Sequence, residues 1–189
     1  MDTHDAIARR TSTRAFKSDP VPRYAIERLL AAAVRAPNHK LTEPWRFAVL
    51  SGESRRRYAE IKRAHRAKKF PDSATPESAR AIEKTYREAL DTPAFIVVMC
   101  AVSDDPVRRE EDYGATMMAI ENLLVAAAAD GIGTALRTGG IMEHPDVKSL
   151  AGVPQDYRIV GIISVGWLSA TPEPTQRRKS LDEIVTWKE

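Results

Sequence analysis

Cysteine is almost absent from this 189-residue chain, and so is every motif that would give it hydrolytic or metal chemistry. The one cysteine, Cys100, excludes an intrachain disulfide and any cysteine-rich metal site. It lies within the apolar run Ala94-Phe95-Ile96-Val97-Val98-Met99-Cys100-Ala101-Val102, where a thiol serves as a small core hydrophobe. No segment approaches the ~18 consecutive apolar residues of a membrane-spanning helix. The start, Met1-Asp2-Thr3-His4, lacks the basic and apolar regions of a secretory signal, so a cytoplasmic protein is expected with no membrane partner.

Four histidines, His4, His39, His65 and His144, show neither H-E-x-x-H nor another ligand spacing, and there is no G-x-S-x-G elbow. No Walker loop and no G-x-G-x-x-G occurs. Gly131-x-Gly133 follows a helical segment, where a dinucleotide fingerprint would follow a strand. The acidic run Glu110-Glu111-Asp112 is expected near the start of a long helix, complementing its N-terminal dipole. Net charge is +3, but 29 basic residues are dispersed among 26 acidic ones. The densest basic stretch, Arg55-Arg56-Arg57 through Lys68-Lys69, has little aromatic company. It reads as the solvated face of a helix, and no nucleic-acid partner is expected.

What the chain does have is alternating helical and strand-like segments without repeats, expected to form one domain over residues 1–189. Helices are predicted over Asp2 to Arg10, Tyr24 to Arg35, Ser54 to Lys69, from the Thr75-Pro76 cap to about Leu90, from about Val107 to Asp130, and from about Pro145. The Ser54 to Lys69 helix is polar enough to predict broad exposure. Strands are predicted over Trp45 to Leu50, Ala94 to Val102, Thr134 to Thr138 and Arg158 to Leu168. Ala94 to Val102 is apolar on both faces and should be central. Gly131-Ile132-Gly133 is expected to cap the long helix. The tail from Ser169 to Glu189 is broken by proline steps and then reads Leu181-Asp182-Glu183-Ile184-Val185. The fold class is α+β, with a small, mostly antiparallel sheet flanked by helices. The second half of the long helix is apolar nearly all round, more than a monomer of this size covers easily, which points to a partner subunit.

Three polar clusters remain. Arg9-Arg10-Thr11-Ser12-Thr13-Arg14 offers guanidinium forks, hydroxyls and free amides suited to an anion, although basic residues also complement helix C-termini. Arg35-Ala36-Pro37-Asn38-His39-Lys40 leads into Pro44-Trp45-Arg46-Phe47, either a functional loop or a capped helix end above a buried Trp45. Gly131 to Gly140 sets Arg137 and Thr138 in a glycine-flanked strand that a flat ligand can approach closely.

In this order and at these distances, the clusters resemble the nitroreductase family of FMN enzymes, most closely its compact subgroup. The ending Arg178-Lys179-Ser180-Leu181-Asp182-Glu183-Ile184-Val185-Thr186-Trp187 is similar to that family's C-terminal pattern, and the likeness covers essentially the whole chain. The resemblance implies an α+β sandwich in an intertwined homodimer, with two FMN sites built by both subunits. By position, Arg9, Arg10 and Thr11 would hold FMN from one subunit, and Arg35 and His39 would reach it from the other. Ala126, Ala127, Ala128, Ala129, Asp130 and Gly131 would line the long-helix side. Leu136, Arg137 and Thr138 would contact the cofactor, and Arg178 its phosphate. The chain departs from the pattern in the residue added before Arg14, which touches the roles of Ser12 and Arg14. It departs again in carrying leucine at 136, where the subgroup has an aromatic. The implied activity is a ping-pong cycle from NADH or NADPH through FMN to small electron-poor acceptors such as nitro compounds and quinones. Such a cycle needs no side-chain acid or base and no metal. Relatives of the family carry out dehalogenation, enoate reduction or flavin cleavage instead, and a non-catalytic FMN-binding protein is the further alternative.

Overall fold

In a computed structural model, residues 1–170 and 178–188 are described. Among these residues, six α-helices and four strands follow in order: α1 (Thr3–Arg9), α2 (Arg23–Ala33), β1 (Trp45–Leu50), α3 (Gly52–Ala67), α4 (Pro76–Leu90), β2 (Ala94–Ala101), α5 (Pro106–Ala129), β3 (Ile132–Arg137), α6 (Pro145–Ala151) and β4 (Tyr157–Trp167). The strands form one sheet in the order β1-β2-β4-β3, every neighbouring pair antiparallel. This is the α+β architecture that the sequence predicts. The proline steps of the tail at 172 and 174 lie outside the described residues.

β2 is central because it has no polar face to give to water: seven of its eight residues are buried, and they alternate between two cores. Ile96, Val98 and Cys100 face α2 and α5, beside Leu29, Ile120 and Leu123. Phe95, Val97 and Met99 face the other way, onto Tyr58 and Ala59 of α3, Ala89 of α4 and Val147 of α6. Helices therefore cover both faces. Burial pushes the Cys100 thiol upward, consistent with an inert core residue. Among the described residues no helix is long and apolar enough to cross a membrane.

Three expectations need correction. The long helix ends at Ala129, and only Gly131 (φ 71°) makes the turn; β3 starts at once with Ile132, two residues earlier than predicted. α3 is not merely a solvated rod, because Tyr58 and Ala59 are fully buried and Arg55 donates to the carbonyls of Leu90 and Thr92. Asp112 does not serve the α5 N-terminus either. That terminus is capped by Asp105, whose carboxylate accepts from the Val107 amide at 2.9 Å, and Asp112 is buried a full turn and more inside the helix.

The outer strand, β3, ends the sheet on one side. Part of its free edge is covered by the segment after α1: Ser12 bridges Thr134, and the Thr13 amide donates to the Thr134 carbonyl at 2.9 Å. Thr13 is buried there while Ser12 and Arg14 stay exposed.

Candidate functional site

A strand of six residues spans roughly 17 Å, and each end of β3 opens onto a cavity bearing arginine. At the first end α1 stops at Arg10, whose backbone turns extended (ψ 114°), so Arg9, Arg10 and Thr11 project beside the start of β3. With Ala128 and Gly131 they line a cavity of about 320 Å³. Arg10 is loosely paired with Glu121 at 3.4 Å, while Arg9 is exposed and makes no ion pair among the described residues. A Cβ added at Gly131 would meet nothing within 4 Å, so the floor of this cavity is open backbone.

At the other end, Leu136, Arg137 and Thr138 lead into the turn at Gly139 (φ 121°). They share a cavity of about 440 Å³ with Arg14 and with Tyr58, Lys62, His65 and Arg66 of α3. Alternation along β3 turns Leu136 toward the α5 core and Arg137 toward α3. Arg137 donates to Ser164 Oγ at 3.2 Å. Burial and then Arg14 lower its affinity for the proton, and burial followed by Arg137 and Arg14 pushes the Lys62 ammonium down to about 8. Glu88 is the carboxylate on this cavity's wall. The Tyr58 hydroxyl is pushed far up, because its ionised form would be buried.

The third cluster lies apart from both cavities. Arg35 and His39 are exposed, and His39 lines a separate cleft with Thr42 and Arg108. The loop that follows His39 is unusual: Lys40, Leu41 and Glu43 all have positive φ, at 53°, 53° and 42°. Thr42 Oγ1 donates to the buried Asp112 carboxylate at 2.6 Å and so pins this loop to α5. Left-handed backbone at three non-glycine residues persists only where the surroundings hold it.

Of the residues that the sequence singled out, Arg9, Arg10, Thr11, Ala128 and Gly131 therefore meet at one end of β3, and Leu136, Arg137 and Thr138 at the other. Ala127 is core, Ala126 is half-buried, Ala129 is exposed, and Asp130 pairs with Arg28 at 3.0 Å. Arg178 is described but lines neither cavity. The α3 wall falls in the polar region from Ser54 to Leu90, where the family resemblance implies a pocket wall; the individual residues 58, 62, 65, 66 and 69 recur at helical spacing on a face otherwise read as solvated.

Comparison with known proteins gives the same picture from another direction. The chain is 32% identical over 180 residues to YfhC of Bacillus subtilis, a candidate NAD(P)H nitroreductase, covering 95% of this chain and 91% of the relative. A nitroreductase-like protein from Bacillus cereus of known crystal structure superposes with a TM-score of 0.85 at 29% identity, over 100% of this chain and 97% of the other. The fold also matches a mutant form of the FMN- and NADPH-dependent nitroreductase NfnB from a sphigopyxis strain, TM-score 0.80 at 19% identity, over 100% and 99% of the two chains. The sequence profile of the Nitroreductase family matches residues 7–167, from inside α1 to the last residue of β4. With both ends of β3 lying inside the match, the chain belongs to the nitroreductase family.

Proposed function

We propose that this chain is an FMN-dependent oxidoreductase that passes electrons from NADH or NADPH to small electron-poor acceptors, working as a homodimer with its cofactor at the subunit interface. The observation that carries the reading is the pair of arginine-bearing turns at the two ends of β3. The donor set fits the cofactor. Arg9, Arg10 and Thr11 supply two guanidinium forks and a hydroxyl over open backbone at Gly131, which is the chemistry a phosphate monoester needs. Arg137 and Thr138, reached along the same strand, supply positive charge and hydrogen bonding to the polar edge of a flat ring.

When bound, FMN supplies the two-electron chemistry, and the protein's share is binding, orientation and charge. Arg137 is set for that share. It is half-buried and tied to Ser164, and both burial and Arg14 disfavour its charge, so a nearby anionic group relieves a cost already present in the fold. Arg35 and His39 lie away from both cavities of their own chain, which supports assigning them to the site of a second copy.

The test is spectral. The purified chain is expected to be yellow, or to take up one FMN per subunit, and to bleach on anaerobic addition of NADH or NADPH. Replacing Arg9 and Arg10 together with alanine should weaken FMN binding at least tenfold without moving the melting temperature by more than a few degrees. A colourless protein that takes up no added FMN ends the proposal.

A further inference from the structure

One cavity at the sheet edge holds more positive charge than a cofactor with a single phosphate uses. If the turn at Arg9 and Arg10 serves that phosphate, the opposite end of β3 still gathers Arg14, Lys62, Arg66, Lys69 and Arg137 on the wall of one 440 Å³ space, with Glu88 as the carboxylate among its lining residues. Such a cluster repels itself. Among the described residues four buried side-chain polar atoms have no hydrogen-bond partner, and beside Arg55 Nε these are three that matter here: Tyr58 Oη, His65 Nε2 and Arg66 Nε. All three belong to residues that line this cavity. An orphaned buried polar group costs about 1–3 kcal/mol, and since the Arg66 guanidinium can only donate and the Tyr58 hydroxyl can donate, the group around one space points to an occupant that brings acceptor oxygens.

We propose that the α3 face made by Lys62, His65 and Arg66 is an oxyanion subsite, holding the carboxylate or phosphate of the small substrate that reaches the sheet edge. The placement is right for it. The cavity shares Arg137 and Thr138 with the end of β3, so a ligand anchored on α3 lies next to the region where the flat cofactor is assigned. The anchors are also preset. Arg66 stacks over Phe70 at 5.0 Å, Lys62 sits 6.0 Å from the centre of the Tyr58 ring, and the rings of His65 and His144 meet edge to face at 5.7 Å. Desolvation and repulsion from Arg137 and Arg14, which lower the hold of Lys62 on its proton, are what a bound anion would relieve. The inference rests on the proposed function only in calling the ligand a substrate; the anion site itself stands on α3.

Two sources of oxyanion fit this chemistry, an acidic acceptor or the 2′-phosphate that distinguishes NADPH from NADH. Calorimetric titration of the FMN-saturated protein at pH 7 separates them, with 4-nitrobenzoate against 4-nitrobenzamide in one arm and 2′,5′-ADP against 5′-AMP in the other. In at least one arm the more anionic probe is expected to bind tenfold or more tightly than its counterpart, and that arm names the source. The double variant Lys62→Met/Arg66→Met should bring the ratio within twofold while keeping its FMN. If the double variant does not fold, Lys62→Gln alone should lower the ratio at least threefold. Ratios within twofold in both arms of the unsubstituted protein overturn the proposal, and so does a ratio that neither variant changes. Loss of FMN from a folded double variant also overturns it, by assigning the cluster to the cofactor's own phosphate. A protein that takes up no FMN yet retains the ratio upholds the subsite and removes only the flavin reading.

Discussion

Lys62 illustrates how one residue can bind a ligand at the expense of the fold. Burial comes first, then Arg137 and Arg14 across the cavity, with Glu88 the partial offset, and together they bring its ammonium from 10.5 down to about 8. Below pH 8 the lysine is charged in both folded and unfolded chains, so the whole penalty is present. Between about 8 and 10.5 the unfolded chain binds more protons than the folded one, and stability rises with pH. Lys62→Met is therefore expected to stabilise the protein at pH 7 by on the order of 1 kcal/mol, after allowance for solvent screening. The gap should shrink by pH 10, and urea midpoints at the two pH values check it; an equal gap at both would refute the assignment. The same titration should erode oxyanion binding above pH 8. Gly133 shows a different single-residue constraint. A Cβ there would lie 2.5 Å from Thr13 Cγ2 and 2.7 Å from Leu168 Cδ2, so the segment after α1 can lie on β3 only because this position is bare. Gly133→Ala should cost about 1–3 kcal/mol by overpacking, read from the same denaturation midpoints.

At the scale of elements, the long periodic and strongly apolar segments were legible in the sequence, and the contacts between them were not. β1 begins and ends where the run Trp45 to Leu50 predicts, and α4 starts on its predicted cap, with Thr75 accepting from the Ser78 amide at 3.2 Å. The two clusters that meet at β3 could be named from glycine and arginine placement alone. Composition hid the rest. α3 reads as polar because its buried face is made of Tyr58 and Ala59, flanked by cationic residues that line a cavity. Asp112 reads as one of three acidic residues near a helix start, and nothing local says that Thr42, seventy residues away, will claim it. That long-range bond holds a loop with three strained residues, so its loss should reach beyond one hydrogen bond. Thr42→Val leaves a buried carboxylate short of a donor, with Arg108 at 3.5 Å its ion-pair partner among the described residues. A loss of about 1–3 kcal/mol is expected, together with faster amide exchange over residues 38–43. Unchanged exchange there would show that the loop holds its shape without the tie.

For the whole molecule, the surface raises the question of what covers it. Tyr24, Val34, Leu41, Val107 and Met118 are each exposed by two-fifths or more, and they come from α2, the loop after it and α5. The described part of the tail adds Leu181, Ile184 and Trp187, the last 85% exposed. Scattered apolar side chains are ordinary on a monomer; three more on one short stretch of tail are what the proposed homodimer would cover. Under the proposed function Arg35 and His39, which line neither cavity of their own chain, would serve the site of a second copy. Burying ~1,000 Å² of apolar area at ~25 cal/mol per Å² offers about 25 kcal/mol before the costs of association, enough for a dimer that persists at micromolar concentration. Light scattering on the eluting protein should therefore give twice the 21.0 kDa chain mass. Removing the chain from Arg178 onward should shift that mass toward the monomer and weaken FMN binding along with it. Arg35→Ala supplies the sharper discrimination. If it weakens FMN while the mass stays dimeric, the arginine acts across the interface as assigned. A dimer with undiminished FMN affinity would separate oligomerisation from the site, and the two-subunit reading would have to be given up.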